Sequence, residues 1–384
     1  MTDLTSMLET QVRGGWLPGA VALLARGEHV EVHAVGRLGL DDGAAPMAAD
    51  SIFRIASITK PIVAAAAMLL VDEGRIALDD PVTGALPELA SPMVVRTPAS
   101  PVDDVVPAIR PVTLRDLLTS RPGWGFPADF TLPAVQLLFT VQKDGRAPHL
   151  FEPPHDWLAA LGRVPMVAQP GEAFLYATAF DILGVLIARV AGQPLRDFLA
   201  ARLFEPLGMA DTRFAVPAAK QDRFARFYMA DPAGALKQAD TQQTWAALPA
   251  FESGGGGLLS TAGDWLRFAR MLLAAGQVNG RQLLSASSVR HMMTNHLTDA
   301  QRPPARLFLD GQGWGFGGSV DVDPPTPARP WLIPGRYGWT GGTGTSAHLV
   351  PPAGTVAILL TQVGAPSPAP TPLYRDFWRH AATS

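Results

Sequence analysis

The chain has 384 residues, 47% of them hydrophobic and 17% charged, with a formal net charge of −3 at pH 7. This composition predicts a globular protein with a large buried core, organised as two domains or as one domain with an insertion. The net charge and the lack of a basic run argue against nucleic-acid binding, and a sequence without cysteine excludes disulfides and thiolate zinc sites.

Hydrophobic periodicity and turn residues divide the chain into helical and extended segments. In chain order we predict a helix at 4–14, strands at 20–26 and 29–35, a long helix at 57–74, a helix at 112–118, a loop at 122–155, helices at 181–192, 195–203 and 261–275, strands at 346–351 and 355–360, and a last short helix with Phe377 and Trp378. Strands at both ends indicate an antiparallel sheet made from N- and C-terminal segments. The predicted fold class is α/β, more narrowly α+β, with helices flanking that sheet.

The same pattern predicts two domains. Residues 1–80 and 215–384 form an α/β domain around the sheet, and residues 81–214 form a mostly helical domain. Ser57 lies near the junction of these parts, where clefts between lobes usually form. We therefore expect the active site at the junction.

Signals of membrane and secretory proteins are also missing from the sequence. The first residues are acidic and polar, and the longest apolar run, near residues 61–71, is too short to cross a bilayer. We therefore expect a cytoplasmic protein with no membrane partner. The sequence leaves the oligomeric state open.

The most informative segment is the tetrapeptide Ser57-Ile58-Thr59-Lys60 at the head of the long apolar helix. Lys60 is one of four lysines in the chain, and a hydrated ammonium is an unusual neighbour for the apolar run 61–71 unless its charge has a task. Residues three apart share a helix face, so the Ser57 hydroxyl and the Lys60 amine can meet. In such a pair the lysine is a candidate base that can activate the serine hydroxyl as a nucleophile.

Local signals place this serine at a helix N-terminus. Residues 53–56 predict a short extended segment, Pro61 suits a first helical turn, and Gly74 ends the helix. The free N–H groups and the positive dipole end of a helix N-terminus favour a developing negative charge. Alone, the motif also fits a capping serine and an extended lysine, so this context decides in favour of a serine hydrolase.

Tyr176 is the second candidate residue. Tyrosine is as scarce as lysine in this chain, and Tyr176 follows a Pro-Gly turn at residues 170–171. A phenol beside an ammonium can serve as a base or as the acid for a leaving group. The residues leave open where the proton of a Lys60–Tyr176 pair rests. They also leave open an ordinary half-buried core tyrosine.

The third segment, residues 338–346, is rich in glycine beside a predicted strand. Glycine lets backbone N–H groups approach a ligand closely. An exposed edge strand here would offer an oxyanion donor opposite the N–H of Ser57. The alternative is a hairpin turn with an unusual glycine content.

Together these segments resemble the serine β-lactamase and penicillin-binding-protein superfamily, and most of all its class C β-lactamase-like branch of esterases, the family VIII carboxylesterases. The motif that begins at Ser57 is similar to Ser-x-x-Lys. The segment from Tyr176 stands in the place of Tyr-x-Asn, and the segment from Trp339 stands in the place of Lys-Thr-Gly. The likeness covers most of residues 15–365 and implies a β-lactamase-like fold with a mostly helical second domain.

Two departures from the family pattern bear on the substrate. The family's lysine of Lys-Thr-Gly binds a substrate carboxylate, whereas Trp339 is neutral and bulky. Losing a charge-assisted hydrogen bond of about 1.5–3 kcal/mol should weaken ligands with a carboxylate. Thr178 replaces an asparagine whose amide could bind an acyl-amide group. The resemblance therefore implies neutral esters with simple acyl chains, bound by Trp339, Thr178 and Gly341.

The resemblance also implies a mechanism. Ser57 attacks the ester carbonyl while the Lys60–Tyr176 pair takes its proton. The N–H groups of Ser57 and Gly342 hold the oxyanion, with Thr343 as the alternative donor. Tyr176 protonates the leaving alcohol, and water then cleaves the acyl-enzyme by the reverse path. No metal or organic cofactor is required.

We therefore predict a serine carboxylesterase for short-chain acyl esters, with a small-molecule ester as its partner. Three alternatives stay open: an acyltransferase to an alcohol or amine, a β-lactamase or D-peptidase, and a degenerate ligand-sensing homologue without activity. The missing carboxylate-binding lysine argues against the second. Intact Ser57, Lys60 and Tyr176 argue against the third.

Two further patterns are assigned no function. The chain contains no Gly-x-Ser-x-Gly elbow, and His291 and His296 are off the spacing of a helical metal pair, so no metal site is predicted. The glycine run at 254–257 lacks the Lys-Ser/Thr of a phosphate loop. We interpret it as a flexible turn before a helix.

Overall fold

The structure is a computed structural model that describes residues 3–383. Its strands are β1 (Gly19–Arg26), β2 (His29–Gly36), β3 (Phe53–Arg54), β4 (Met93–Val95), β5 (Val105–Pro107), β6 (Tyr228–Ala230), β7 (Leu236–Gln238), β8 (Leu259–Ser260), β9 (Gln277–Val278), β10 (Arg281–Gln282), β11 (Gly313–Trp314), β12 (Ser319–Val320), β13 (Tyr337–Gly341), β14 (Thr345–Val350) and β15 (Thr355–Thr361).

Seven of these strands form the central sheet. Their order is β11-β12-β13-β14-β15-β1-β2, and every neighbouring pair is antiparallel. The sheet therefore joins two strands from the N-terminal part of the chain to five from the C-terminal part. The predicted antiparallel sheet and the α+β fold class are confirmed. The other strands form two-stranded ladders, one of which joins β3 to β8.

Helices pack on both faces of this sheet. They are α1 (Leu4–Arg13), α2 (Lys60–Asp72), α3 (Leu114–Leu118), α4 (Pro133–Val141), α5 (Pro154–Leu161), α6 (Thr178–Ala191), α7 (Leu195–Leu199), α8 (Glu205–Leu207), α9 (Ala262–Leu273), α10 (Ala286–Met293), α11 (Arg306–Leu309) and α12 (Pro372–Thr383).

The sheet is buried on both faces at β1. Successive side chains of a strand point to opposite faces. The even-numbered residues 20–24 of β1 pack in one cluster with Leu8 of α1 and Phe377 of α12. The odd-numbered residues 21–25 pack in the main core, which includes Phe268 of α9. Helices on both faces thus explain why β1 reads as a continuous apolar run.

Helix α2 runs through the centre of the molecule. Its residues from Lys60 to Leu70 are all buried, as expected for a helix that is apolar on every side. It packs against α6 and α10, and the turn before it, Ala56–Thr59, packs against β13 and β14. This arrangement brings the start of α2 to the edge of the sheet that carries the glycine-rich hairpin.

Two predicted elements differ from the structure. The segment 122–155, predicted as a loop, contains α4, whose apolar side chains Ala134, Val135 and Leu138 are buried on one side. The prolines and aromatic residues around this short helix hide its periodicity. The helix predicted at 195–203 continues through a π-helical turn, Ala200–Phe204, to Leu207. The wider turn ends two residues before Pro206, whose missing N–H interrupts α-helical hydrogen bonding.

The proposed boundaries of the two domains, at residues 80 and 214, stay a prediction. Over residues 3–383 no single helix has the length and apolar character to span a membrane. One bent pair, Thr178–Ala191 with Leu195–Leu207, meets that criterion by length and composition only.

Candidate active site

Ser57 lies in a 3₁₀ turn, Ala56–Thr59, that leads directly into α2. The preceding residue, Ala56, has a φ of 44°, in the left-handed region that residues with a Cβ rarely adopt. The β3–β8 ladder holds the chain just before this turn. Strain of this kind persists where the surrounding structure over-determines it, as at functional sites.

Lys60 is 2% exposed, and its amine lies between two oxygen atoms. Nζ donates to Oγ of Ser57 at 3.0 Å and to the carbonyl oxygen of Gly255 at 2.6 Å. It also lies 4.8 Å from the centroid of the Tyr176 ring, within cation–π range. The contact between hydroxyl and amine expected from the i, i+3 spacing is therefore present.

Tyr176 borders the same space from the other side. Its backbone pairs with Phe126, and its hydroxyl accepts a hydrogen bond of 2.7 Å from Nε1 of Trp339. Among the described residues this hydroxyl makes no direct hydrogen bond to Ser57 or Lys60. The expected hydrogen bond between the Lys60 amine and the Tyr176 hydroxyl is thus absent here. The face of the Tyr176 ring lies toward the amine, and the hydroxyl oxygen instead accepts the hydrogen bond from Trp339.

A γ-turn follows Tyr176. Ala177 has φ 79° and ψ −73°, and the N–H of Thr178 bonds back to the carbonyl oxygen of Tyr176 at 3.3 Å. A γ-turn with positive φ is rare and strained. The residues next to Ser57 and Tyr176 therefore both depart from ordinary backbone geometry.

A cavity of about 390 Å³ holds these side chains together. Ser57, Lys60, Tyr176, Trp339, Gly341 and Gly342, which are all but one of the predicted site residues, line it. Much of the remaining lining is aromatic or charged. The aromatic residues are Phe126, Phe130, Phe139 and Phe308, and the charged ones are Lys143, Asp144 and Arg146.

The aromatic wall is continuous. Phe126 stacks on Phe139 with ring centroids 4.6 Å apart, and Tyr176 stacks on Phe308 at 4.8 Å. Phe139 is 44% exposed although it is apolar. The wall therefore offers an apolar surface that a bound molecule can cover.

The glycine-rich segment forms the turn between β13 and β14. β12 pairs with only the first two residues of β13, so positions 339–341 are unpaired on that side. A Cβ at Gly341 would lie 2.6 Å from the carbonyl oxygen of Ile55, and the hydroxyl of Thr343 bonds to the carbonyl oxygen of Arg54 at 2.6 Å. Glycine at 341 thus allows the hairpin to pack directly on the chain that precedes Ser57.

Two backbone N–H groups border the cavity without a partner. Within residues 3–383, neither the N–H of Ser57 nor that of Gly342 forms a hydrogen bond. Both residues line the cavity and both are partly exposed. Unpaired N–H groups are the donors that an oxyanion requires.

Thr178 lies outside the cavity lining. Its side chain is fully buried at the start of α6, its hydroxyl has no hydrogen-bond partner among the described residues, and it is not part of the cavity lining. The γ-turn at Ala177 directs residue 178 into the core. The prediction that Thr178 binds substrate is therefore not supported.

Asp181 is a cavity residue that sequence reasoning missed. It lies in the first turn of α6 and is 2% exposed. Its carboxylate accepts hydrogen bonds from Oγ of Ser253 at 2.5 Å, from the N–H of Gly255 at 3.0 Å and from Nε2 of Gln142 at 2.8 Å. Burial raises the pKa of Asp181, while these donors and the charge of Lys60 oppose that rise.

The glycine run at 254–257 also differs from its interpretation as a flexible turn. All four glycines are buried. A Cβ at Gly254 would collide with the backbone oxygen of Phe180, and one at Gly255 would lie 3.0 Å from Oδ1 of Asp181. The run is a tightly packed connection against α6, and its lack of side chains makes that approach possible.

No metal centre emerges from the part of the chain described, where histidine, aspartate and glutamate form no group of three that could hold an ion. His291 and His296 stack on each other and on Phe316. Their rings are part of the packing around α10.

Comparison with known proteins gives a consistent result. A family model described as Beta-lactamase matches residues 4–377. Protein Rv1367c of Mycobacterium tuberculosis (strain ATCC 25618 / H37Rv) is 39% identical over 355 residues, which cover 91% of this chain and 86% of that protein.

Two further similar proteins have names that state an activity. Esterase EstB of Burkholderia gladioli is 31% identical over 383 residues, which cover 93% of this chain and 89% of that protein. Among solved structures, EstCE1, described as a hydrolase with promiscuous acyltransferase activity, has a TM-score of 0.80 at 25% identity and covers 98% of this chain and 97% of its own. The chain therefore belongs to the β-lactamase family and is a serine hydrolase.

Proposed function

We propose that this hydrolase is a carboxylesterase that cleaves short-chain acyl esters through an acyl-enzyme on Ser57. The observation that carries the proposal is the 3.0 Å hydrogen bond between Nζ of Lys60 and Oγ of Ser57, in a cavity bordered by Tyr176 and two unpaired N–H groups. The likeness to the esterase EstB and the hydrolase EstCE1 supports the same class of reaction.

In the proposed first step, Oγ of Ser57 attacks the ester carbonyl and its proton moves to the neutral amine of Lys60. The N–H groups of Ser57 and Gly342 hold the oxyanion. Tyr176 gives its proton to the departing alkoxide and regains one from Lys60, so the amine ends neutral. The phenol oxygen has to move toward the amine for that transfer, because the two share no hydrogen bond in this structure.

In the proposed second step, water attacks the acyl-enzyme. The amine again takes a proton, this time from the water, and Oγ of Ser57 recovers its proton as the carboxylic acid departs. The cycle needs no other reactant.

Trp339 supports a neutral ester as the substrate. Its indole N–H is already used by the hydroxyl of Tyr176, and its side chain is 4% exposed. It therefore offers no donor or charge to a carboxylate, and its proposed part is to orient the phenol and to border the acyl group. Gly341 borders the same space through its backbone.

The charged residues of the cavity lining include cations that could favour a different substrate. Arg146 is paired with Asp144. Lys143 donates to the carbonyl oxygen of Thr140 and has no carboxylate partner among the described residues. A substrate with an anionic group would meet Lys143, so substrates with a carboxylate belong in the test.

The proposed domain division accounts for the place of the site. Ser57 and Lys60 come from residues 1–80, Tyr176 comes from 81–214, and Trp339 and Gly342 come from 215–384. All five line the one cavity. We propose that the active site lies where these parts of the chain join.

Acyl transfer is the second candidate function. EstCE1 is described as having promiscuous acyltransferase activity, and the aromatic wall around Tyr176 would hold an apolar alcohol where the leaving group departs. An alcohol bound there would compete with water for the acyl-enzyme.

One assay tests the proposal and its alternatives. Purified protein is given p-nitrophenyl butyrate, nitrocefin and a D-Ala-D-Ala peptide, each with and without a primary alcohol. We expect ester turnover to exceed the other two activities and to be lost in Ser57→Ala. Preferred cleavage of nitrocefin would contradict the assignment of Trp339, and product diverted to the alcohol would favour acyl transfer. A single acylation without turnover would favour the ligand-sensing alternative.

A further inference from the structure

A continuous chain of polar groups leads from Lys60 into the core. Nζ of Lys60 donates to the carbonyl oxygen of Gly255 at 2.6 Å. In the same peptide, the N–H of Gly256 donates to Oγ of Ser253 at 3.1 Å. That hydroxyl donates to Oδ1 of Asp181 at 2.5 Å. The amine of Lys60, the peptide between Gly255 and Gly256, the hydroxyl of Ser253 and the carboxyl group of Asp181 are thus connected in series.

Burial raises the pKa of Asp181, but the hydrogen bonds around its carboxyl group suit the ionised form. Every group that bonds to it donates: Ser253 and the N–H of Gly255 to Oδ1, and Gln142 to Oδ2. A carboxylate only accepts hydrogen bonds, so this pattern suits the anion. Among residues 3–383, the charged group that acts on Asp181 is Lys60 of α2, and the groups that bond to Asp181 are neutral.

The glycine run makes this connection possible. Gly254 packs against α6, where a Cβ would lie 3.1 Å from the Cα of Gly184 and closer still to the backbone oxygen of Phe180. Gly255 approaches the carboxylate of Asp181 with equally little space. A side chain at Gly254 or Gly255 would push the Gly255 carbonyl away from Lys60 or α6 away from Ser253.

We propose that Asp181 and Ser253 are positioning residues that act on Lys60 through the peptide between Gly255 and Gly256. The carboxylate of Asp181, at the far end of this series of hydrogen bonds, polarises that peptide. The polarised carbonyl of Gly255 is a stronger acceptor for the Lys60 amine. The series therefore fixes the amine beside Ser57 through the hydrogen bond to the carbonyl oxygen of Gly255. The link to catalysis rests on the proposed function, in which Lys60 is the base, whereas the effect on the amine itself does not.

The test replaces the charge and keeps the shape. In Asp181→Asn, the amide oxygen still accepts from Ser253 and Gly255, and the amide nitrogen can donate to Oε1 of Gln142 after that side chain rotates. Oε1 of Gln142 has no partner in the present structure. The matched control is Asp264→Asn, because Asp264 is also buried and hydrogen-bonded but does not line the cavity.

The direct measurement is the titration of the Lys60 amine by NMR with ¹³C-labelled lysine. The chain has four lysines, so its spectrum is simple, and the Lys60 signal is identified by its absence in Lys60→Arg. Without the anion the ammonium is less favoured, so we expect the midpoint in Asp181→Asn to fall by about one pH unit. Asp264→Asn should leave the midpoint in place. An unchanged midpoint in folded Asp181→Asn would overturn the proposal.

A second variant covers the case in which Asp181→Asn does not fold. Ser253→Ala removes one link and keeps the carboxylate, so the midpoint should fall by less than in Asp181→Asn. Thermal unfolding establishes that each variant is folded before titration. A midpoint in folded Ser253→Ala equal to that of the wild type would also overturn the proposal.

Activity gives an independent readout. The acidic limb of the pH profile of kcat/KM for p-nitrophenyl butyrate should move to lower pH in Asp181→Asn, by the same amount as the NMR midpoint. A merely structural residue would lower activity at every pH without moving the limb. If the midpoint moves while the wild type hydrolyses no ester, the proposed function fails and the positioning role stands. If the wild type hydrolyses esters and Asp181→Asn changes neither the NMR midpoint nor the acidic limb, the positioning role fails and the proposed function stands.

Discussion

Two glycine-rich segments border the active-site cavity, and they differ in which backbone group they contribute. The run at 254–257 directs a carbonyl oxygen to Lys60, whereas the turn at 341–344 leaves the N–H of Gly342 beside the cavity with no partner in the described part of the chain. In each segment, glycine allows one stretch of backbone to lie very close to another. The comparison teaches that glycine content indicates such an approach without indicating whether a donor or an acceptor results.

The two segments also differ in what surrounds them. The first is buried on all sides, against α6 and beside the carboxylate of Asp181. The second packs on the chain before Ser57 at Gly341 but is open at Gly342, where a Cβ would meet only the side chain of Arg146 at 3.3 Å. Substitutions in the two segments should therefore have different effects on activity and on stability.

The largest effect is expected for Gly341→Ala. Its Cβ would lie 2.6 Å from the carbonyl oxygen of Ile55, so the hairpin has to move away from Ser57 and take the N–H of Gly342 with it. Loss of one oxyanion donor lowers kcat by about 100-fold or more. Gly43→Ala is the control, because a Cβ there meets nothing within 4 Å and Gly43 does not line the cavity, so kcat should stay nearly unchanged. Equal kcat values for the two variants would contradict the assigned hairpin role.

An effect on stability is expected for Gly254→Ala. Here the added methyl group meets backbone atoms of α6, which cannot move independently of the core. Overpacking of this kind lowers the free energy of unfolding by about 1–3 kcal/mol, as urea denaturation would measure. Gly84→Ala is the control, because a Cβ there meets nothing within 4 Å. If both variants unfold at the same urea concentration, the run at 254–257 is less tightly packed than described.

The smallest effect is expected for Trp339→Phe, which removes the indole N–H that bonds to the hydroxyl of Tyr176. Loss of one hydrogen bond of about 1 kcal/mol should lower kcat for p-nitrophenyl butyrate roughly fivefold. Trp314→Phe loses the same volume next to Trp339, and its Nε1 has no hydrogen-bond partner among the described residues. An equal loss of kcat in both variants would show that packing rather than the hydrogen bond matters.

Local sequence patterns predicted the parts of the site that depend on neighbouring residues. The contact of Ser57 with Lys60 follows from the helical spacing of three residues, and the apolar character of α2 follows from its composition. Alternation and apolar runs located the strands at both chain ends. Tyr176 and the glycine-rich segment 338–346 were candidates from the residues themselves, and the resemblance to a family added the roles of Trp339 and Gly342.

Features that depend on distant pairs were missed for a physical reason. The hydrogen bond between Ser253 and Asp181 spans 72 residues, and that between Lys60 and Gly255 spans 195. Such bonds produce no periodic pattern in the sequence. A polar residue that is buried and hydrogen-bonded, such as Ser253 or Asp181, looks the same in the sequence as one on the surface. Thr178 was misplaced because the γ-turn at Ala177 cannot be read from three adjacent residue types.

The two alanines with positive φ have a consequence for engineering. Glycine would adopt the backbone conformation of Ala56 and Ala177 at no steric cost, so exchange at either position is an obvious choice for raising heat tolerance. The methyl groups, however, narrow the conformations open to the residues that follow and precede them, Ser57 and Tyr176. A thermostabilised variant should therefore retain both alanines and seek its added stability elsewhere in the molecule.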